Sequence, residues 1–163
     1  MKTHLIRSTV LLFAGALLLA GRLGAQDKSG DLAIIVNKSV KVDDVASADL
    51  VRYFKAEKSK AADGSKLALA VFDVGHPERA AALAGIYKMS EGEYTDYFAD
   101  ATFTGAVAAA PKALASAAAV RAFVAGTAGG LGYVRGSDTD DSVKVLKVDG
   151  ALPGDAGYKL KIK

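Results

Sequence analysis

Residues Leu67-Ala-Leu-Ala-Val-Phe-Asp-Val-Gly-His-Pro77 read as strand, turn and helix start in one uninterrupted run. Leu67 to Phe72 is apolar at both odd and even positions, as expected for a strand covered on both faces. Gly75 ends the run, and Pro77 suits the first helical position, where a missing N–H costs nothing. Ala80, Leu83, Ala84 and Tyr87 then follow helical spacing to about Lys88. A buried strand feeding a helix through a tight glycine turn is the unit of a layered α/β domain.

The same alternation extends in both directions. Upstream, Leu32-Ala-Ile-Ile-Val36 is a second buried strand, followed by a loop holding Asn37 and Ser39. Ser47 is placed to N-cap a helix from Ala48 to about Lys55, with Leu50, Val51 and Phe54 on its apolar face. The charged stretch from Glu57 to Ser65 contains the Asp63-Gly64 turn signal. Downstream, Ser90-Glu-Gly-Glu93 has capping-box form and starts a helix running from Glu91 to about Asp100. Thr102 to Pro111 reads as a Gly/Ala/Thr loop. Ser116 caps a further helix with Val120, Phe123 and Val124 facing the core and Gly126 as its stop. Leu131–Val134 and Val143–Val148 read as strands, and Tyr158–Ile162 as an edge strand in a turn-rich tail.

Residues 1–25 have the three regions of a secretory signal: Lys2 and Arg7, the apolar run Val10 to Gly21, and small residues before a cut after Ala25. The run is well short of the roughly 20 residues that span a bilayer, so membrane contact is expected only through this segment, were it left uncleaved. Residues 26–163 then form one domain, periplasmic or secreted. The chain holds 21 Lys and Arg against 18 Asp and Glu, and Lys2, Arg7 and Arg22 fall in the signal, which contains no acid. The remainder is formally neutral, so the basic balance belongs to export and argues for no nucleic-acid partner. With no cysteine in the chain, disulfide, thiolate and lipoprotein chemistry are excluded.

Three segments resemble the phosphate-type substrate-binding proteins of ABC transporters, of the type II periplasmic-binding fold. The first is Leu50-Val-Arg-Tyr-Phe54 with Ala62-Asp-Gly64; the second is Ala70-Val-Phe-Asp-Val-Gly75 with Phe103-Thr-Gly105. The third is Val120-Arg-Ala-Phe-Val124 with Gly129-Gly-Leu-Gly-Tyr-Val134. The resemblance covers Leu32 to Val148 and implies a single lobe of such a protein: an α/β three-layer sandwich with a mixed central sheet. It also implies transport without catalysis, a small oxyanion as ligand, and an ABC permease or another envelope protein as partner. No cofactor follows from it. The resemblance places an arginine in the strand matching Ala70 to Gly75 and a Ser-Gly-Thr turn after it. This chain has Phe72 and His76-Pro77-Glu78 there; Pro77 removes an N–H donor, and Glu78 opposes an anion. That departure points to weak oxyanion binding.

The candidate ligand contacts are Gly75 and His76 at the helix start, and Thr102, Thr104 and Gly105, whose hydroxyls and bare backbone suit close approach. His76 is the one histidine after residue 25, which leaves no His/Cys metal set. No Gly-x-Ser-x-Gly elbow is present, so a hydrolase is disfavoured. Asp138, Asp140 and Asp141 lack the spacing of a calcium loop and read as a solvated turn. Gly129-Gly130-Leu131-Gly132 lacks a phosphate-loop ending and reads as the tight approach to a strand. Lys55, Lys58 and Lys60, diluted by Glu57 and Asp63, read as a solvated face. An alternative to solute capture is an envelope interaction or assembly module, its exposed lobe surface serving self-association or partner docking.

Overall fold

The computed structural model describes residues 30–163, so the predicted signal segment lies outside the described residues. The elements in chain order are β1 (Leu32–Val36), β2 (Asp44–Val45), α1 (Ser47–Phe54), β3 (Ala68–Phe72) and α2 (Pro77–Ala82). A π-helical turn, Leu83–Tyr87, continues α2; then come α3 (Glu91–Phe103), β4 (Lys112–Leu114), α4 (Ala117–Gly126) and β5 (Gly130–Arg135). A short 3-10 turn, Gly136–Asp138, leads to β6 (Lys144–Val145) and β7 (Lys147–Val148).

The main sheet has the order β4-β3-β5-β1-β6. β3 runs parallel to both β4 and β5, whereas β1 is antiparallel to β5 and β6, so the sheet is mixed as expected. β1 is buried at all five positions, which is why its sequence carries no polar alternation. The core gathers Ile34, Phe54, Phe72, Tyr87 and Tyr133 with the aliphatic side chains of both sheet faces. Phe54 packs between Tyr87 and Tyr133 at ring distances of 5.9 and 5.6 Å, which ties α1 and the π turn to β5.

The glycine run before β5 is a tight approach because nothing larger fits. A Cβ on Gly129 (φ +74) would lie 1.9 Å from the Lys66 carbonyl oxygen, and one on Gly130 would lie 2.7 Å from that of Val124. Ser90 and Glu93 form the reciprocal capping box at the start of α3, and the Ser116 hydroxyl accepts from the Ala119 N–H at 3.1 Å at the start of α4.

Several boundaries differ from the sequence expectation. Ser47 is the first residue of α1 and not its cap: the carboxylate of Asp149, 102 positions later, accepts from the Ser47 N–H at 2.8 Å. The inward face after Pro77 is Ala82, Leu83, Ile86 and Tyr87, while Ala80 and Ala84 are exposed. α3 continues past Asp100 to Phe103, so Thr102 is helical. Val143–Val148 is two strands in two sheets, because the alternation slips where Val145 and Leu146 are adjacent. The Leu146 N–H still bonds Ile34 in the main sheet, whereas β7 pairs with β2. Tyr158–Ile162 forms only an isolated bridge at Asp31–Lys161, with flanking bonds from Leu32 to Leu160 and from Ile162 to Gly30. The short edge strand β4 follows directly on the predicted loop and lacks an apolar signature.

Candidate ligand-binding edge

Because β3, β4 and β5 are parallel, their carboxyl ends open on one edge of the sheet, where ligands of open α/β sheets gather. Three chain segments meet there: Asp73–His76 leading into α2, Ala115–Ser116 leading into α4, and Arg135–Asp138 after β5. The Asp73 N–H bonds the Leu114 carbonyl oxygen at 2.9 Å, and the Gly136 N–H bonds that of Asp31 at 2.8 Å, so the edge is stitched across its width.

Gly75 takes a positive φ of +96°, which frees the chain to reverse from β3 into α2, and a Cβ there would meet open space. His76 is the N-cap residue of α2 with extended backbone, and its side chain makes no capping bond. Its ring instead lies 5.0 Å from that of Phe72, which is itself buried and stacked on Tyr133. Val74 between them is 70% exposed, an apolar side chain projecting from the mouth of the edge.

Charge at this edge is organised in pairs. Arg79, in the first turn of α2 and only 6% exposed, donates from Nε to both carboxylate oxygens of Glu91, at 3.1 and 2.8 Å. A further bond joins its Nη2 to Glu91, Nη1 donates to the Phe72 carbonyl oxygen at 2.9 Å, and the guanidinium lies 4.4 Å from the Tyr94 ring centroid. The hydrogen bonds from Arg79 hold the Glu91 carboxyl below its usual range, and those to Glu91 raise the guanidinium further above its own. Glu78, also buried, accepts from Arg135 Nε at 3.1 Å and pairs with its Nη2 at 3.0 Å. The acid that the sequence sets against an anion is thus matched by a cation from the neighbouring strand. An arginine does reach the end of β3, but from the helix and already bound to a carboxylate.

The five candidate contacts do not converge. Thr102, Thr104 and Gly105 end α3, and the loop after them, Ala106–Pro111, lies against Leu67 and Leu69 at the amino end of β3. Gly75 and His76 stand at the carboxyl end of the same strand. The Thr104 hydroxyl is spent on the carbonyl of Asp100 at 2.8 Å, and Gly105 (φ +73) is the left-handed residue that stops the helix. Ser116, Glu78, Arg79 and Arg135 belong to the edge instead. Sequence separations of 12 for Arg79–Glu91 and 57 for Glu78–Arg135 gave no local pattern by which to find them.

Among the other candidates, the acidic turn is tied internally: Asp140 pairs with Arg121 at 2.9 Å and accepts from Ser142, which hold its carboxyl below the usual range. Lys58 pairs with Asp49 at 3.2 Å and lies over Tyr53, and Lys55 lies over Tyr97.

No known sequence family matches the chain, and no curated protein does. Solved structures do. An ABC-type phosphate transport receptor from Vibrio cholerae matches with TM-score 0.61 at 17% identity, over 76% of this chain and 48% of that one. A putative phosphate ABC transporter substrate-binding protein from Clostridium perfringens, solved with bound phosphate, matches with TM-score 0.62 at 17% identity, over 76% and 47%. PstS from Borrelia burgdorferi matches with TM-score 0.58 at 13% identity, over 76% and 49%. The chain therefore shares the fold of phosphate-type substrate-binding proteins and spans about half of their length.

Proposed function

We propose that this chain is an exported, non-enzymatic lobe of the substrate-binding type, taking a small oxyanion weakly at the Gly75–His76 turn and acting at the envelope, with an ABC permease or another envelope protein as partner. The observation that carries this reading is the commitment of Arg79 to Glu91 and of Arg135 to Glu78. An anion at this edge then has backbone N–H groups at the helix starts and the His76 ring as its donors, and no guanidinium given over to it. Two charge-assisted hydrogen bonds of about 2 kcal/mol each correspond to a dissociation constant of about 1 mM. Weak capture suits a lobe that hands its ligand on. Isothermal titration with phosphate and with sulfate tests the reading: heat that saturates in the millimolar range supports it, and silence with both removes it.

A second reading, an interaction module, is favoured by exposed apolar side chains. Val74 at the edge is 70% exposed and Phe103 at the end of α3 is 92% exposed, so each offers an apolar side chain to a partner surface at opposite ends of the sheet.

A further inference from the structure

We propose that this protein self-associates by seating the acidic outer face of α3 from one copy in a lysine-lined groove of another. α3 carries Glu93, Asp96, Asp100 and Phe103 at spacings of three, four and three residues, which places them along one exposed stripe. The helix contains no Lys or Arg, and no ion pair is formed by Asp96 or Asp100 among the described residues. The stripe is negative for its whole length and ends in the most exposed large apolar side chain of the described residues.

The complementary surface lies along the outer side of α2 and its π turn. Two cavities, of about 310 and 630 Å³, lie on either side of Gly85 and Lys159, which line both. Their floor is small and apolar: Ala80, Ala81 and Ala84 leave room for a second helix backbone to come close, while Leu160 of the same chain packs beside Gly85. Lysines dominate the charge of their wall, with Asp149 as its one acid. Tyr158 and Leu160 turn into the core, so Lys159, Lys161 and Lys163 project together from the extended tail, and Lys88 stands at the other end. Lys159 and Lys161 answer Asp149 and Asp31, whereas Lys88 and Lys163 form no ion pair among the described residues.

The two surfaces also agree in length. From Pro77 to Lys88 the groove runs for about 16 Å, and from Glu93 to Phe103 the acidic stripe runs for about 15 Å. Carboxylates at i and i+4 on a helix are about 6 Å apart along its axis, close to the about 6.6 Å between alternate lysines of an extended segment. Asp96 and Asp100 on the stripe and Lys88 and Lys163 in the groove form no ion pair among the described residues, so the two surfaces are complementary in sign. A second copy is the occupant that supplies both the matching charge and an apolar end to lie on the alanine floor. A contact between different patches repeats head to tail unless a two-fold closes it.

The test uses charge reversal on each surface in the whole purified protein, read by sedimentation velocity over a range of concentrations. Wild type is expected to associate reversibly at low ionic strength and to dissociate as salt screens the pairs. Asp96→Lys with Asp100→Lys, and separately Lys88→Glu with Lys163→Glu, are each expected to weaken self-association about tenfold or more. Mixing the two variants restores a complex, and so does a chain carrying all four substitutions, which a misfolded variant could not do. A wild type that stays monomeric at every concentration and salt overturns the inference, as do reversed variants that associate like wild type, or a mixture that does not recombine. All four positions are exposed and leave Gly75 and His76 intact, so anion titration on the same variants keeps this result separate from the oxyanion reading.

Discussion

Arg79 and Glu91, 12 positions apart, are joined through three guanidinium-to-carboxylate hydrogen bonds, and the same guanidinium caps the carbonyl of Phe72 at the end of β3. One side chain therefore fixes the start of α2, the start of α3 and the end of the strand between which any ligand of this edge would lie. The arrangement stiffens the edge and withdraws its buried cation from ligand binding.

Removing the carboxylate should be costly, because it leaves a buried guanidinium with only a carbonyl and an aromatic face. Glu91 is 35% exposed, so the penalty is below that of a fully buried pair. Glu91→Gln is expected to lower stability by about 1–3 kcal/mol in urea unfolding. A change within about 0.3 kcal/mol would show that the pair contributes nothing net.

Acid sensitivity follows from this pair and from two carboxylates elsewhere in the fold. The carboxyls of Glu91, Asp140 and Asp149 are held below their ordinary values in the folded chain by hydrogen bonds from Arg79, Ser142 and Ser47 respectively. A depressed folded value means that the stabilisation is complete above the unfolded value and disappears as pH falls through the folded one. The urea midpoint should therefore decline progressively below about pH 5. In Glu91→Gln that decline should be shallower, and an unchanged slope would exclude Glu91 as a contributor.

Two glycines of like conformation should respond differently to alanine. Gly64 (φ +84) has open space around its missing Cβ, so Gly64→Ala is expected to cost about 1–2 kcal/mol, from backbone strain alone. Gly129 (φ +74) faces the Lys66 carbonyl at a distance no Cβ can occupy, so Gly129→Ala should cost clearly more and lower the thermal midpoint further. Equal midpoints for the two variants would contradict the packing described at the start of β5.

The His76 ring, which makes no capping bond and covers the edge of the core only through its contact with Phe72, is expected to contribute to oxyanion binding. His76→Ala should weaken phosphate binding by about thirtyfold, the worth of one hydrogen bond of about 2 kcal/mol to a charged group, with a loss of stability of about 1 kcal/mol or less from the ring contact with Phe72. Binding that is unaltered in His76→Ala would relocate the donors to the backbone or to another face.

What this sequence determined by itself is local: β1 as a buried strand, β3 as a strand buried over its last three residues, the helix begun at Pro77, the Ser90–Glu93 box, the Ser116 cap and the glycine approach to β5. Each is written in neighbours within a few residues, through apolar period, missing N–H groups and side-chain caps. Tertiary structure alone decided which charges meet. Arg79 with Glu91, Glu78 with Arg135 and Asp149 at the head of α1 are joined across sequence distances at which no period or spacing operates. It also separated Thr102, Thr104 and Gly105 from Gly75 and His76, because a strand and a 13-residue helix carry chain neighbours to opposite ends of the sheet. Propensity acts along the chain, whereas electrostatic pairing acts through space, and only the folded topology converts one distance into the other.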